Sequence, residues 1–251
     1  MILIFGDNHS EFRYICEAVA RLRPEAIILL GDLTPERPLE VELARILDRT
    51  VVRFLHGNHD TDQPQFYANV FHSKLANCNL HGRMEVIAGL RVAGLGGVFR
   101  SSIWQPPQPP AYASHAALVD SLRHKMCKQK VPRHPETAEE MFQGQARKHA
   151  SSIFSDTYRA LEGQKADILV CHEAPSAHPY GVEAIDQLAR RMGAAKVFHG
   201  HHHDSMDYRS QWASLGFELY GVGFQGITDS DGYVIQPGKF DAHWASRRRV
   251  E

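Results

Sequence analysis

The sequence predicts an α/β protein built on a parallel β-sheet. Three short apolar runs, each followed by a turn and a helical pattern, open the chain of 251 residues, at residues 1–5, 26–30 and 50–55. These runs do not alternate apolar with polar side chains, which is typical of strands that are covered on both faces. Strands that alternate with helices along a chain favour a parallel sheet with helices outside it.

The segments between these strands have helical periodicity. Residues 10–23 place apolar side chains on one face of a helix, and Ser10 precedes them as a candidate N-cap. A second helix is predicted for residues 36–48. The opening third of the chain therefore indicates three β-turn-α units in succession.

The middle of the chain predicts an insertion. Short strands are predicted at residues 84–88 and 90–95, and a proline-rich loop follows. The helical stretches at residues 112–129 and 137–161 carry many charges and few large apolar residues, which indicates a cap over the core. We interpret residues 1–251 as one domain with a helical or loop cap insertion at about 100–162.

The last third returns to alternating elements. A strand is predicted at residues 166–171, a helix at 181–192 and another strand at 195–198. The segment after residue 206 is rich in strand formers, and Asp229-Ser230-Asp231-Gly232 is typical of a hairpin turn.

The composition indicates a cellular location and the classes of partner that are not favoured. Hydrophobic residues make up 43% of the chain, and the net charge is -1, so no overall attraction to nucleic acid or to a membrane is indicated. The four cysteines lack CxxC spacing, which favours a reducing, cytoplasmic location. No apolar run is long enough to span a bilayer, so we expect no membrane partner. The sequence makes no prediction of oligomeric state.

Five short segments bearing carboxylates and histidines follow apolar runs in a fixed order. They are Gly6-Asp7-Asn8-His9, Gly31-Asp32, Gly57-Asn58-His59-Asp60, Cys171-His172-Glu173 and Gly200-His201-His202-His203. Ligands of open α/β sheets bind outside the carboxyl ends of the strands, where these segments are expected. So many carboxylates and imidazoles are costly to bring together unless a cation offsets their repulsion and desolvation.

The types of side chain indicate which cations suit the site. Imidazole nitrogens favour manganese, iron, zinc or nickel over magnesium or calcium, and the oxygen ligands are compatible with manganese. The absence of thiolate spacing argues against a closed structural zinc site. Because alternate residues of an extended segment point the same way, we expect His201 and His203 to share a direction, and Asn8 and His202 to point elsewhere.

This ordered set resembles the calcineurin-like metallophosphoesterase superfamily, whose motifs run Asp-x-His, Gly-Asp, Gly-Asn-His-Asp/Glu, His and Gly-His-x-His. The resemblance covers residues 1 to about 204 and implies a four-layer α/β/β/α sandwich with two divalent cations. It assigns the first cation to Asp7, His9, Asp32 and His203, and the second to Asp32, Asn58, His172 and His201. Asp32 would bridge, its two oxygens spanning the roughly 3.5–4 Å between such cations. His59 would face the substrate as the catalytic acid or as a stabiliser of phosphoryl charge.

The resemblance implies hydrolysis of a phosphomonoester or phosphodiester, in a small molecule or nucleotide, by a hydroxide activated between two metal ions. Manganese is expected first, with iron, zinc or nickel as alternatives. A nuclease is an alternative that the net charge does not favour, and a Ser/Thr protein phosphatase is another. A non-catalytic scaffold is disfavoured because every ligand position is filled.

One departure from the protein phosphatases bears on His59. Those enzymes continue the second motif as Gly-Asp-x-Val-Asp-Arg-Gly, and the later aspartate orients the histidine of the third motif. Here Pro35 stands at that position, so Glu36 and Asp60 are the candidates to replace it. The arginines that grip phosphoserine in that subgroup also have no clear match.

Two residues outside the motifs are candidates for binding substrate. Arg100 closes a glycine-rich strand end and would bring a guanidinium to the phosphate, or else is an exposed arginine at the start of a loop. His178 follows His172 closely and is a candidate lining residue of the cleft.

Overall fold

The computed structural model describes residues 1–128 and 135–242. Within these residues, ten strands form two five-stranded sheets: β1 (Ile2–Phe5), β2 (Ala26–Leu29), β3 (Val51–Phe54), β4 (Arg83–Ile87), β5 (Leu90–Leu95), β6 (Ile168–Cys171), β7 (Lys196–His199), β8 (Glu218–Gly221), β9 (Ile227–Asp229) and β10 (Val234–Gln236). The α-helices are α1 (Arg13–Leu22), α2 (Leu39–Glu42), α3 (Pro64–Phe71), α4 (His115–Lys128), α5 (Pro135–His149), α6 (Ser155–Glu162), α7 (Glu183–Met192) and α8 (Trp212–Leu215).

Both sheets combine a parallel centre with an antiparallel edge. The first sheet has the order β10-β9-β1-β2-β3, in which β1, β2 and β3 are parallel. The second has the order β4-β5-β6-β7-β8, and β5 to β8 are parallel. The hairpin predicted around residues 229–232 is present between β9 and β10.

The apolar core lies in three layers. Side chains such as Ile4, Val170 and Phe198 fill the space between the two sheets. A second cluster packs the first sheet against α1 and α3, and a third packs the second sheet against α6, α7 and α8. Each central strand is therefore buried on both faces, as its continuous apolar run predicted, and the four-layer α/β/β/α sandwich is confirmed.

Two predicted helices begin or end in the wrong place. Helix α1 begins at Arg13 because the Ser10 hydroxyl donates to the Thr34 carbonyl oxygen, at 2.5 Å, instead of capping the helix. The helix predicted over residues 36–48 is only the four-residue α2. After it the chain continues in turns, with the Ile46 amide donating to the Leu43 carbonyl oxygen at 3.0 Å.

The single helix predicted over residues 137–161 is two helices. The chain leaves the helical path between α5 and α6 because it pairs with Val98, which donates to the Ser151 carbonyl oxygen and accepts from the Ile153 amide, both at 3.0 Å. Side chains of Ile103, Leu118 and Phe154 join α4 to the loop after β5.

The proposed domain limits stay a prediction, and residues 129–134 and 243–251 lie outside the described part of the chain. Within that part, no helix combines the length and the apolar character needed to cross a bilayer.

Candidate metal centre

The motif segments begin where parallel strands end. In the first sheet, Asp7, Asp32 and Asn58 follow β1, β2 and β3, which are neighbours. In the second sheet, His172 follows β6 and the Gly200–His203 segment follows β7. Because the carboxyl ends of all five strands lie at one end of the sandwich, the structure brings these side chains together, as the sequence indicated.

Glycines in the motifs allow the segments to approach closely. A Cβ atom on Gly57 would lie 2.2 Å from Oδ1 of Asp32 and 2.6 Å from the His172 ring. A Cβ atom on Gly31 would lie 2.5 Å from Nδ1 of His172. No larger residue fits at either position without displacing one of these side chains.

One group of ligand-type atoms consists of His9, Asp32 and His203, all within 4.8 Å of one another. Nε2 of His9 lies 3.1 Å from Nε2 of His203 and 3.8 Å from Oδ2 of Asp32. Asp7 adjoins this group, since its Oδ2 lies 3.4 Å from Nε2 of His203. The four residues assigned to the first cation thus surround one region.

A second group consists of Asp32, His172 and His201. Nε2 of His172 lies 3.5 Å from Oδ2 of Asp32 and 3.2 Å from Oδ1 of Asn58. Nδ1 of His172 donates to the carbonyl oxygen of Leu30 at 2.8 Å, so in the neutral ring Nε2 is the atom with the lone pair.

Asp32 belongs to both groups, but through a single oxygen. Its Oδ1 accepts from the amide of His59 at 2.8 Å, whereas Oδ2 faces both His9 and His172. The expectation that the two oxygens of Asp32 span the distance between two cations stays a prediction. The loop that carries His59 holds the carboxylate in one orientation and leaves Oδ2 as the shared atom.

The donor set fits divalent cations. Oδ1 of Asp7, Oδ2 of Asp32 and Nδ1 of His201 are buried and have no hydrogen-bond partner within the described residues. Buried polar atoms without a hydrogen-bond partner are unfavourable, and a cation bound beside them would supply the missing interaction. Mixed carboxylate, amide and imidazole donors are the ligands that first-row divalent metals accept.

Burial and the neighbouring carboxylates shift the pKa values of the candidate ligands. Burial raises the pKa of Asp7 to about 8 and lowers the pKa values of His201 and His203 to about 3 and 4. Burial disfavours the charged form of His172, but the nearby Asp32 carboxylate outweighs it and raises that pKa to about 10. A proton on His172 and a metal cation are therefore alternative ways of balancing the buried carboxylates.

The backbone is left-handed at four of the candidate ligands. The φ angles of His9, Asp32, His201 and His203 are 40°, 48°, 71° and 60°. Such conformations cost non-glycine residues on the order of 1–3 kcal/mol each and persist where the surroundings hold them. The expected extended segment at His201 to His203 is therefore wrong, and the two rings join different groups instead of sharing one direction.

The two residues between the candidate ligands differ in their surroundings. Nδ2 of Asn8 donates to the carbonyl oxygen of Leu33 at 3.4 Å. Nε2 of His202 lies 3.6 Å from Oε1 of Glu173, and these two residues form a further ligand-type group with His201. Sequence analysis missed this third group, although Glu173 and His202 stand inside the motifs.

His59 lies at the mouth of the site, outside both ligand groups of the described residues. Its side chain is 47% exposed, and its ring centroid lies 5.5 Å from that of His9. Nδ1 of His59 lies 2.6 Å from Oδ2 of Asp62. Partial burial disfavours the imidazolium, but the hydrogen bond to Asp62 and the charge of Asp32 outweigh it and raise the pKa of His59.

Asp62 therefore occupies the role for which Glu36 and Asp60 were the candidates. Asp60 instead accepts from the amides of Thr34 and Gly57, at 2.7 and 2.8 Å, and ties the second motif to the third. The signal that sequence analysis missed is the i, i+3 spacing of His59 and Asp62, because such residues lie on one side of a helical turn.

Replacing Asp62 with asparagine is expected to lower kcat about 10–100-fold, by analogy with the loss seen when the hydrogen-bonded partner of a metal-ligating histidine is removed. The amide keeps the shape of the side chain but not its charge, so the His59 imidazolium loses its partner. We expect KM and metal content to be unchanged. Steady-state kinetics of Asp62→Asn, His59→Ala and the double variant test this. A double variant much slower than His59→Ala would show that Asp62 acts elsewhere.

The two candidate substrate residues differ in their surroundings. Arg100 is half-buried, and its guanidinium donates to the hydroxyls of Ser151 and Ser152 at 3.3 and 3.0 Å. His178 is buried, stacks on His202 with ring centroids 3.8 Å apart, and lies 3.5 Å from Asp204. Among the described residues, the two ligand groups that contain Asp32 include neither Arg100 nor His178.

Known proteins resemble this chain over most of its length. A protein of Haemophilus influenzae (strain ATCC 51907 / DSM 11121 / KW20 / Rd), described as uncharacterized, is 36% identical over 238 residues, covering 94% of this chain and 97% of that protein. The crystal structure of TT1561 of Thermus thermophilus is 15% identical with a TM-score of 0.48, over 90% of this chain and 93% of that one. A hypothetical protein of the same organism is 17% identical with a TM-score of 0.42, over 82% and 69%.

The family model of the calcineurin-like phosphoesterases matches residues 1–205, which include every motif described above. The chain therefore belongs to the calcineurin-like phosphoesterase family and is a metallophosphoesterase, a hydrolase of phosphoric esters.

Proposed function

We propose that the protein hydrolyses a phosphomonoester or phosphodiester of a small molecule or nucleotide at a centre of two divalent cations. The observation that carries this proposal is the position of Asp32, whose Oδ2 faces one group containing His9 and another containing His172. A shared carboxylate between two sets of nitrogen and oxygen donors is what a pair of adjacent cations requires.

The ligands that we propose are those implied by the motifs. One cation is held by Asp7, His9, Asp32 and His203, and the other by Asp32, Asn58, His172 and His201. Manganese suits this mixture of oxygen and imidazole donors best, with iron, zinc or nickel as alternatives. When bound, the two cations lower the pKa of a water molecule and withdraw charge from the phosphoryl oxygens.

The protein side chains supply orientation and a proton. Asp62 holds Nδ1 of His59, so Nε2 of the protonated ring is free to donate to the leaving-group oxygen. The raised pKa of His59 keeps more of the ring in this acidic form near neutral pH. Because the ring is half exposed, it lies where an incoming ester can reach it.

Arg100 is the side chain that we propose to contact the phosphate. The hydroxyls of Ser151 and Ser152 hold its guanidinium in place. Burial lowers the pKa of Arg100, and the charges of Asp62, Glu173 and Asp32 oppose this effect, which supports a position close to these carboxylates. We propose that His178 supports the wall of the cleft through its stacking on His202.

Removal and return of metal test the proposal. We expect chelation to abolish hydrolysis, and manganese to restore it as the metal content approaches two ions per chain. Elemental analysis at each addition, with parallel series in iron, zinc and nickel, measures the stoichiometry. Full activity with one bound ion would overturn the dinuclear centre.

A panel of esters then defines the substrate class. Glycerol phosphate, p-nitrophenyl phosphate, bis(p-nitrophenyl) phosphate and nucleoside monophosphates represent small monoesters and diesters. Single-stranded DNA and a phosphoserine peptide represent the nuclease and the protein phosphatase. We expect turnover of small esters to exceed that of both polymers, and the reverse order would replace the proposal.

A further inference from the structure

Three segments that are distant in the sequence meet at the hydroxyl group of Ser151, just after α5. Ser151 is 0% exposed. Its Oγ lies 3.2 Å from the carbonyl oxygen of Lys148 and 2.8 Å from Oγ1 of Thr61. The same Oγ accepts from Nη1 of Arg100 at 3.3 Å. One buried hydroxyl group therefore contacts the end of α5, the side chain of Arg100 and the loop that carries His59.

The hydrogen bonds of these hydroxyl groups are satisfied in either direction. A hydroxyl group donates one hydrogen bond and accepts two. If Thr61 donates to Ser151, then Ser151 donates to the carbonyl oxygen of Lys148. If Ser151 donates to Thr61, then Thr61 donates to the carbonyl oxygen of Asn58 at 3.1 Å. In both arrangements Ser151 accepts from Arg100, so the contacts from Arg100 to Thr61 are continuous.

Thr61 belongs to the loop that carries His59. It is 2% exposed and ends the 3₁₀ turn that begins at His59, directly before Asp62, which holds the His59 ring. The carbonyl oxygen of Thr61 accepts from Nε of Arg147, in α5, at 3.2 Å. Side chain and backbone of Thr61 are thus both held by the region around the end of α5, and a displacement of Thr61 would displace His59 as well.

Arg100 is held through one of its nitrogens. Nη1 donates to Oγ of Ser151 and to Oγ of Ser152, and Ser152 is 1% exposed. Within residues 1–128 and 135–242, Nε and Nη2 of Arg100 have no hydrogen-bond partner. A guanidinium donates to two oxygens of one phosphate through two neighbouring N–H groups. The two serines therefore fix the side chain and leave one side of the guanidinium for a phosphate.

We propose that Thr61 and Ser151 are positioning residues, whose hydroxyl groups hold Arg100 and the His59 loop at a fixed separation so that one phosphoester contacts both. This inference rests on the proposed function, in which Arg100 contacts the phosphate and His59 protonates the leaving group. Among the described residues, no ligand-type group includes Thr61 or Ser151, so we expect the metal content to be independent of them.

Two variants of Thr61 separate its hydroxyl group from its bulk. Thr61→Val keeps the shape without the hydroxyl, and Thr61→Ser keeps the hydroxyl without the methyl. We expect Thr61→Val to bind inorganic phosphate about 5-fold more weakly, because members of one hydrogen-bond network are coupled, and Thr61→Ser to bind it like the wild-type protein. Titration calorimetry on the manganese-loaded protein measures both. Equal phosphate affinities of the two variants, or no binding by wild type, would refute the proposal.

Ser151 and Ser152 form a second matched pair. Both are buried and accept from Arg100, but of these two serines only Ser151 contacts Thr61 within the described part of the chain. We expect both alanine variants to raise KM for glycerol phosphate. Only Ser151→Ala should also lower kcat, on the order of 10-fold, because displaced catalytic groups lose rate steeply. Steady-state kinetics measure this, and equal kcat values would refute the link to His59.

The background of the His59→Ala variant identifies the group through which Ser151 acts. In that background we expect Ser151→Ala to cause no further loss of kcat, because His59 is already absent. A further 10-fold loss of kcat there would show that Ser151 acts on another group. Thermal unfolding of each variant measures stability separately, and a lower unfolding temperature of Thr61→Val with unchanged phosphate affinity would assign its hydroxyl group to stability alone.

The phosphate titration and the kinetics separate this proposal from the proposed function. If the wild-type protein hydrolyses no ester, but its phosphate affinity depends on the hydroxyl group of Thr61, the function is rejected and the positioning of Arg100 is supported. If the wild-type protein hydrolyses esters, but loss of either hydroxyl group changes neither phosphate affinity nor kcat, the phosphoesterase is supported and the positioning role is rejected.

Discussion

Asp32→Ala is expected to bind neither cation and to have no detectable phosphoesterase activity. Oδ2 of Asp32 is the atom shared by the two ligand groups. Because Asp32 is only 1% exposed, an anion from solvent does not easily replace its carboxylate. Without the carboxylate, the remaining nitrogens of both groups lose the negative charge that favours a divalent cation. Elemental analysis and steady-state kinetics on the purified variant measure the two effects.

His203→Ala provides the comparison for Asp32→Ala. This ring contacts His9 and Asp7 and belongs to the first group only. We therefore expect His203→Ala to retain about one equivalent of metal, where Asp32→Ala retains none. Circular dichroism of both variants checks that the fold persists. Two bound ions in Asp32→Ala would show that the groups are held independently of this residue.

His59→Ala is expected to keep both cations and to lose kcat by roughly 10²–10⁴-fold, the usual size of an acid–base contribution. The ring lies outside both ligand groups, and only its backbone amide contacts Asp32. An alanine retains that amide. Metal content, kcat and KM of His59→Ala are the quantities to measure.

The leaving group distinguishes the two roles of His59. If His59 protonates the leaving oxygen, the loss should be large for glycerol phosphate and small for p-nitrophenyl phosphate, whose phenolate leaves without a proton. If it stabilises phosphoryl charge instead, both substrates should suffer alike. A wild-type rate on glycerol phosphate would remove His59 from the mechanism.

The fold class and the positions of the candidate ligands at strand ends could be predicted because both are indicated by local sequence patterns. Apolar runs without alternation mark strands buried on both faces, and each motif directly follows one of them. Parallel strands of one sheet end at a common edge, so Asp7 and Asp32 were expected to lie near each other once the fold class was known. His172 follows a strand of the second sheet and joins them through the packing of the two sheets.

Predictions from local sequence patterns were wrong where contacts with distant segments changed the local backbone conformation. Ser10 has the chemistry of an N-cap, but its hydroxyl donates a hydrogen bond to the carbonyl oxygen of Thr34, and α1 starts later. His201 and His203 occur at the spacing of an extended segment, yet their amides and rings contact Asp7 and His9 in left-handed conformations. Tertiary contacts overrode the local preference in both cases.

The apolar periodicity was enough to predict the fold class, and the order of the five motifs was enough for the resemblance to the family and for the residue types at the metal centre. The packing of the two sheets settles two contacts that the motifs did not indicate: Asp62 holds His59, and Oδ2 of Asp32 faces both groups. The physical reason is that a hydrogen bond depends on distances of a few tenths of an ångström. Such distances between segments far apart in the chain arise only when the two sheets pack.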